Sequence, residues 1–278
     1  MTRTQPNRYY LLAGTSAGHV YPLPPGAPPL DIPTIFDSLQ KAGITWKIYV
    51  SDLDRKPPMN DSLLTDFAIA KKFPANFVPA SQFVTDANSG NLPQVALIEP
   101  GFLDGLDEHP TVVAHQTGGG IQFGAHYVST LINALMQSPS WSDSVFILTF
   151  DEAGGFYDHV APAQTVNPDG KHPSDLRPGD FCTNGTGPTC DFTSTGFRVP
   201  LIVISPFTKK NYVSHTVADY TAIDKFIETR FNLPSLTKRD AAQMDMSEFF
   251  DFTDVPWKNP PTPPEQPTDE ACYLDHLP

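Results

Sequence analysis

Apolar and polar positions fall in blocks along the chain, some with the two-residue alternation of strands and some with the roughly 3.6-residue period of helices. YYLLAG (Tyr9–Gly14) is a short apolar run closed by glycine and predicts a buried strand. A helix is expected from Pro33, with Ile35, Phe36 and Leu39 on one face and Gly43 closing it. WKIYVSD (Trp46–Asp52) alternates and is rich in aromatic and β-branched residues, so it predicts a strand. A short helix follows around Ser62–Lys72, then a strand at QVALIEP (Gln94–Pro100). Val128, Leu131, Ile132 and Leu135 share a face of a long helix over about 122–137. SVFILTF (Ser144–Phe150) and RVPLIVISPF (Arg198–Phe207) are apolar on both faces, as central parallel strands covered by helices would be. A last strong helix covers Val217–Phe231.

Strand and helix thus alternate through most of the chain. That order predicts an α/β fold, a three-layer sandwich with a mainly parallel central sheet, over one domain at 1–257. Pro22–Pro33 and Ala161–Gly196 are too long, too polar and too rich in proline and glycine for core. In a compact domain such stretches are usually lids or functional excursions. The tail, 258–278, is proline-rich and expected to be extended, either lying on the surface or mobile. No internal repeat is visible.

Composition narrows the chemistry. The 278 residues carry a net charge of −13, which argues against a nucleic-acid partner, since phosphate neutralisation needs a surplus of lysine and arginine. No window approaches the roughly 20 apolar residues of a membrane span. MTRTQPNRYY has no apolar signal core, so no export address is visible. Cys182 and Cys190 flank the short loop TNGTGPT and fit either a disulfide, suited to an extracytoplasmic protein, or two free thiols. Asn184-Gly185-Thr186 matches the glycosylation pattern, which is common by chance, and Cys272 has no obvious partner.

Two clusters suggest a reactive centre. Asp151 and Glu152 end an apolar run, where open α/β sheets bind ligands. Adjacent strand residues face opposite ways, so the two carboxylates converge only if the strand dissolves there; Gly154 and Gly155 supply that release. Two ionised carboxylates so close repel, and a hard divalent cation between them is the simplest remedy. An exposed acidic turn is the plainer alternative. TQPNR (Thr4–Arg8) offers a hydroxyl nucleophile, an amide donor and a guanidinium clamp for a phosphoryl centre, or is simply a polar tail.

TQPNR, DEAGGFYDHV (Asp151–Val160) and GFRVPLIVISPF (Gly196–Phe207), in this order, resemble signature segments of the phosphoesterase family that contains bacterial and plant phospholipases C and acid phosphatases. TIFDSLQKAGITWKIYVSD, Glu108-His109-Pro110 and VSHTVADYTAIDKFIETRFNLPSLTKRDA also fit, so the resemblance runs to about Phe252. It implies an alkaline-phosphatase-like fold. It further implies Thr4 as the nucleophile, Asn7 and Arg8 as substrate-binding groups, Asp151 and Glu152 as holders of a divalent metal of unspecified identity, and His159 and His109 as phosphate ligands or acids for the leaving group. Arg198 is expected to pair structurally rather than touch substrate. The implied function is a metal-dependent phosphoric ester hydrolase, phospholipase C-like, cleaving phospholipid head-group diesters or phosphate monoesters, probed at the loop 161–196 for its choice. The implied location is extracytoplasmic or secreted.

Departures from the family pattern qualify this. Ala153 stands where the family commonly has histidine in DEHGG. The family's acidic–Asn motif, of the ENxSFDH kind, precedes its TxPNR segment, and nothing before Thr4 resembles it. The chain is therefore expected to lack an N-terminal strand and one metal carboxylate, leaving an apolar sheet edge or face uncovered. The alternative function is a truncated, non-catalytic member acting as a binding module. A sulfatase-like reading has no Cys-x-Pro-x-Arg segment to support it. Phe156 and Tyr157 are suited to an apolar wall for an acyl glycerol or choline group, though aromatics after a strand are more often core. His19 fits the rim of the site or a surface loop; His115, His126, His172, His215 and His276 are expected to be structural or solvent-facing.

Overall fold

The computed structural model describes residues 3–109, 120–184 and 190–268. His115, Cys272, His276 and the Gly185–Thr186 part of the glycosylation triplet lie outside them. In chain order the elements are α1 (Thr4–Ala13), α2 (Ile35–Ala42), β1 (Trp46–Val50), α3 (Ala68–Lys72), β2 (Phe77–Pro79), α4 (Ser81–Asn88), β3 (Val95–Glu99), α5 (Ile121–Met136), β4 (Phe146–Thr149), β5 (Leu201–Ile204), α6 (Thr221–Phe231) and α7 (Lys238–Ala241). The fold is mixed α/β, as the alternation predicts. The strands form two hydrogen-bonded sets, β2-β1-β3 and β4-β5, and β1 runs parallel to β2 with Ile48 opposite Phe77.

The chain divides into two compact units. One gathers residues 1–46, 63–74 and 147–256; the other gathers 47–62, 75–146 and 257–278. The second unit holds the three-stranded sheet, with α4 and α5 packed together. Its buried Tyr49 meets Phe83 edge-on at 5.5 Å and donates its hydroxyl to Asp86 at 2.6 Å. The proline-rich tail is tied down here: Trp141 Nε1 donates to the Trp257 carbonyl at 3.0 Å, and His126 Nδ1 lies 2.9 Å from the Gln266 carbonyl. His126 is thus structural, as expected.

The first unit corrects the opening of the chain. YYLLAG is not a strand; it forms the end of helix α1, closed by Gly14 in the left-handed region at φ 68°. A short apolar run carries no period of its own, and here Tyr9, Tyr10, Leu12 and Ala13 are all buried because α1 is covered on several sides, by α2 and α6 among others. Pro6 is tolerated because it lies in the first turn, where its missing N–H has no partner to lose. A side chain at Gly14 would strike Thr237 at 3.0 Å, so glycine is needed there for space as well as for φ. The expected helix at 62–72 is split into a tight turn, Leu63–Asp66, and the short α3. Helix α2 begins one residue after Thr34, which closes a capping box with Asp37. Strands β4 and β5 are less covered than their apolar sequences suggest, with Leu201 and Ile202 exposed.

The described parts of loop 161–196 are tied down as an excursion of this first unit. Cys182 and Cys190 are bridged. The loop is stapled to the segment after α1: Asp175 accepts from the Val20 N–H at 2.9 Å and meets His19 Nδ1 at 3.1 Å, and Tyr21 donates to Asp180 at 2.7 Å. His19 therefore anchors the excursion. Both of the loop's stems are held by Arg239, whose Nη1 donates to the carbonyls of Val166 at 3.2 Å and Phe192 at 2.7 Å.

Candidate active site

Strand β4 ends at Thr149, and the acidic pair follows in a bend that Gly154 and Gly155 complete at φ 62° and 80°. Those backbone angles suit glycine and carry out the release expected of this turn. The first turn of α1 meets the bend. Thr4 Oγ1 donates to Glu152 Oε1 at 3.2 Å, and Asn7 Nδ2 donates to the Asp151 carbonyl at 2.7 Å. The two clusters picked out from the sequence, 148 residues apart, thus come together.

Placing Thr4 at the first position of a helix adds what a polar tail would not. The positive end of α1 lies at its hydroxyl, an environment that favours a developing anion. Asn7 is oriented differently from expectation. Its amide nitrogen is spent on the Asp151 carbonyl, while its Oδ1 is buried without a hydrogen-bond partner.

The Asp151 carbonyl also accepts from the Tyr220 hydroxyl at 2.6 Å. Burial, and then the charges of Asp151, Asp219 and Glu152, push the Tyr220 phenol well above its ordinary pKa, so it remains a donor. Tyr220 was missed in the sequence reading; only its place in the VADYTAID segment could have flagged it. It stands just ahead of α6, where Asp219 caps Thr221 through its backbone N–H at 2.9 Å. Asp219 in turn accepts from Arg239 Nε at 2.6 Å, so the groups that pin the excursion also support the residue that pins the acidic turn.

The other expected residues fall less centrally. Arg8 is half-buried on α1. His159 is mostly exposed, its Nδ1 4.0 Å from Asp158 Oδ1. His109 belongs to the second unit, where its ring meets Phe102 edge-on at 6.5 Å. Arg198 pairs structurally as expected, gripping Asp158 with Nε at 2.9 Å and Nη2 at 2.7 Å; this holds the Asp158 carboxyl far below the usual carboxylate range. Phe156 and Tyr157 are exposed, contrary to the core reading.

The groups this segment could offer a divalent cation are all oxygen: the Asp151 and Glu152 carboxylates, the Thr4 hydroxyl that meets Glu152, and the orphaned Asn7 Oδ1. That chemistry fits a hard ion of the kind that takes one or two protein carboxylates and fills its shell with water and substrate phosphate. Among the described residues no group of three or more His, Cys, Asp or Glu side chains gathers as a metal cage.

The site thus sets a hydroxyl in the first turn of a helix against an acidic turn that follows a strand. The profile of the Phosphoesterase family matches residues 1–234, and the chain belongs to that family. The family's fold is alkaline-phosphatase-like. Among its relatives, Phospholipase C B of Mycobacterium tuberculosis (strain CDC 1551 / Oshkosh) is 31% identical over 291 residues, covering 94% of this chain and 52% of that protein. Non-specific phospholipase C1 of Arabidopsis thaliana is 31% identical over 281 residues, covering 94% and 48%. Non-specific phospholipase C6 of the same plant is 33% identical, covering 86% and 45%. The chain spans about half the length of the curated relatives it matches.

Proposed function

We propose that this chain carries the catalytic core of a metal-dependent phosphoric ester hydrolase of phospholipase C type, acting on phospholipid head-group diesters or phosphate monoesters. The observation that carries the reading is the 3.2 Å contact between Thr4 Oγ1 and Glu152 Oε1 at the start of α1. Thr4 attacks phosphorus in line, forming a threonyl phosphate ester as the bond to the leaving alcohol breaks. Glu152 lies where the hydroxyl proton departs, and the α1 N-terminus faces the phosphoryl oxygens. His159, next to the Asp158–Arg198 pair, is the expected acid for the leaving alcohol. Water then cleaves the threonyl ester. Asp151 and Glu152 would hold the cation, which when bound favours ionisation of the Thr4 hydroxyl and offsets phosphoryl charge. The names of the relatives support a phospholipid substrate, and the Cys182–Cys190 bridge supports an oxidising, extracytoplasmic setting.

A second reading, a folded but non-catalytic binding module, draws on one observation: among the described residues no group of three or more His, Cys, Asp or Glu side chains is gathered to hold a metal. Assays on p-nitrophenyl phosphate and p-nitrophenylphosphorylcholine, with divalent metals and with chelator, separate the two. Metal-dependent turnover lost in Thr4→Ala and in Asp151→Ala is expected. Turnover that persists in either variant overturns the mechanism. A cooperative melt with no turnover in the parent chain selects the binding module.

A further inference from the structure

The bend that carries the acidic pair leads directly into exposed aromatic residues. Phe156 is 62% exposed and Tyr157 is 91% exposed. Asp158 then takes the Arg198 guanidinium through two bonds and the Arg198 backbone N–H at 3.3 Å, which ties the backbone next to Tyr157 to the backbone next to Phe197. Phe197 is 59% exposed, and Val160, whose N–H bonds Asp158 Oδ1 at 3.0 Å, is also exposed. An ion pair therefore ties together two short segments that carry exposed apolar side chains, and cancels its own charge. The bend is itself braced, the Phe156 N–H bonding the Ala153 carbonyl at 3.1 Å.

We propose that Phe156, Tyr157, Val160 and Phe197 form a docking surface for a zwitterionic lipid bilayer, which brings the acidic turn to the plane of the head groups. The choice of lipid rests on the phosphoric diester reading above: the patch is continuous in the chain with that site, and a diester embedded in a bilayer reaches it only when the protein abuts the membrane. Aromatic side chains, one with a polar hydroxyl, suit the interfacial zone. The charge of −13 disfavours an anionic surface, so affinity comes from burying neutral apolar area in a zwitterionic one.

The test is flotation of the whole chain with phosphatidylcholine vesicles. The parent is expected to float with the vesicles, with little change on raising salt. Phe156→Ser/Tyr157→Ser/Phe197→Ser is expected to lose partitioning by roughly a thousandfold, from about tenfold for each aromatic withdrawn from lipid. A control, Val213→Ser/Val217→Ser/Phe252→Ser, removes comparably exposed apolar residues and should float like the parent. If the triple variant fails to fold, Tyr157→Ser alone, at a site almost wholly in solvent, should still lose about tenfold. The proposal is overturned if the parent does not float, if the control loses as much as the patch variant, or if the patch proves to join two copies, seen as a parent dimer that the variant dissociates and vesicles do not capture. Flotation without turnover of p-nitrophenylphosphorylcholine supports the surface and overturns the hydrolase reading; turnover without flotation overturns the surface alone.

Discussion

Replacing Arg239 by methionine should destabilise the protein by at least about 4 kcal/mol, although on the sequence Lys238-Arg239-Asp240 looks like an ordinary charged surface. Arg239 has no solvent exposure, and Asp219, its partner at 2.6 Å, is 3% exposed. Removing one member of such a pair strands the other, at roughly 3–5 kcal/mol. The carbonyls of Val166 and Phe192 lose their donor as well, each worth roughly 1 kcal/mol or more when buried. These losses share one side chain and do not simply add, so about 4 kcal/mol is a floor. With roughly 2–4 °C per kcal/mol for a unit of this size, Tm should fall by about 8 °C or more. Arg239→Lys, which keeps the charge but not the fork, should fall in between. In Arg239→Met/Asp219→Asn the stranded charge is gone, so the double variant should be more stable than the sum of its single losses predicts. Urea unfolding followed by circular dichroism measures all five chains: the parent, Arg239→Met, Arg239→Lys, Asp219→Asn and the double variant. A loss under about 1 kcal/mol in Arg239→Met, or strict additivity in the double variant, refutes the assignment of Arg239 as the buried clamp.

Thr4→Ser should keep measurable turnover of p-nitrophenylphosphorylcholine, whereas Thr4→Ala should lose about a thousandfold or more in kcat; mass spectrometry of quenched enzyme should find a phosphorylcholine adduct on residue 4 in the parent and in Thr4→Ser, and none in Thr4→Ala. Tyr220→Phe leaves Asn7 as the side-chain donor to the Asp151 carbonyl, and should cost about 1 kcal/mol of stability while lowering kcat more than it raises KM. A Tm loss with unchanged kcat would reduce Tyr220 to packing. Burial first, and its hydrogen bond with Asp240 second, raise Glu228 from 4.5 to about 8, and burial raises Asp224 well above its ordinary range. The folded chain then binds more protons than the unfolded chain between those values, so the stability contributed by Glu228 is full near pH 4.5 and is lost as pH rises toward 8. Asp61 in the second unit, raised to about 7, acts with the same sign. Tm should decline across that window, and Glu228→Gln should flatten the decline; a flat or rising parent profile contradicts this.

What could be read ahead of the structure follows from how local each signal is. Strands β1, β3, β4 and β5, and helices α2, α5 and α6, were legible because each carries its own period or cap within a few residues. The acidic turn was legible for the same reason, since two carboxylates, two glycines and a preceding apolar run lie in one segment. YYLLAG was misread because burial on many sides erases the period that tells helix from strand, leaving only length and the closing Gly14 to judge by. The pairing of TQPNR with DEAGGFYDHV came from family resemblance, and the spacing of the residues alone gave no sign that Thr4 would face Glu152.

The remaining residues were illegible because their meaning lies in partners far along the chain. Tyr220 matters through a carbonyl 69 positions away, and Arg239 through carbonyls 47 and 73 positions away. Arg239 and Asp224 are charged residues without solvent exposure, a combination that composition always assigns to the surface. Yet these residues form one line of support. Arg239 fixes the stems of the excursion and Asp219; Asp219 caps α6; Tyr220, at the head of α6, fixes the Asp151 carbonyl; and that carbonyl is shared with Asn7 on the helix that presents Thr4. Because every link is a short bond between part-buried groups, a change at Arg239 should be felt at the acidic turn before it is felt at β5, whose apolar side chains stand half in solvent. The same line explains why an excursion rich in proline and glycine can be rigid: its order comes from the buried guanidinium between its stems and from the Cys182–Cys190 bridge near its tip, rather than from any secondary structure of its own.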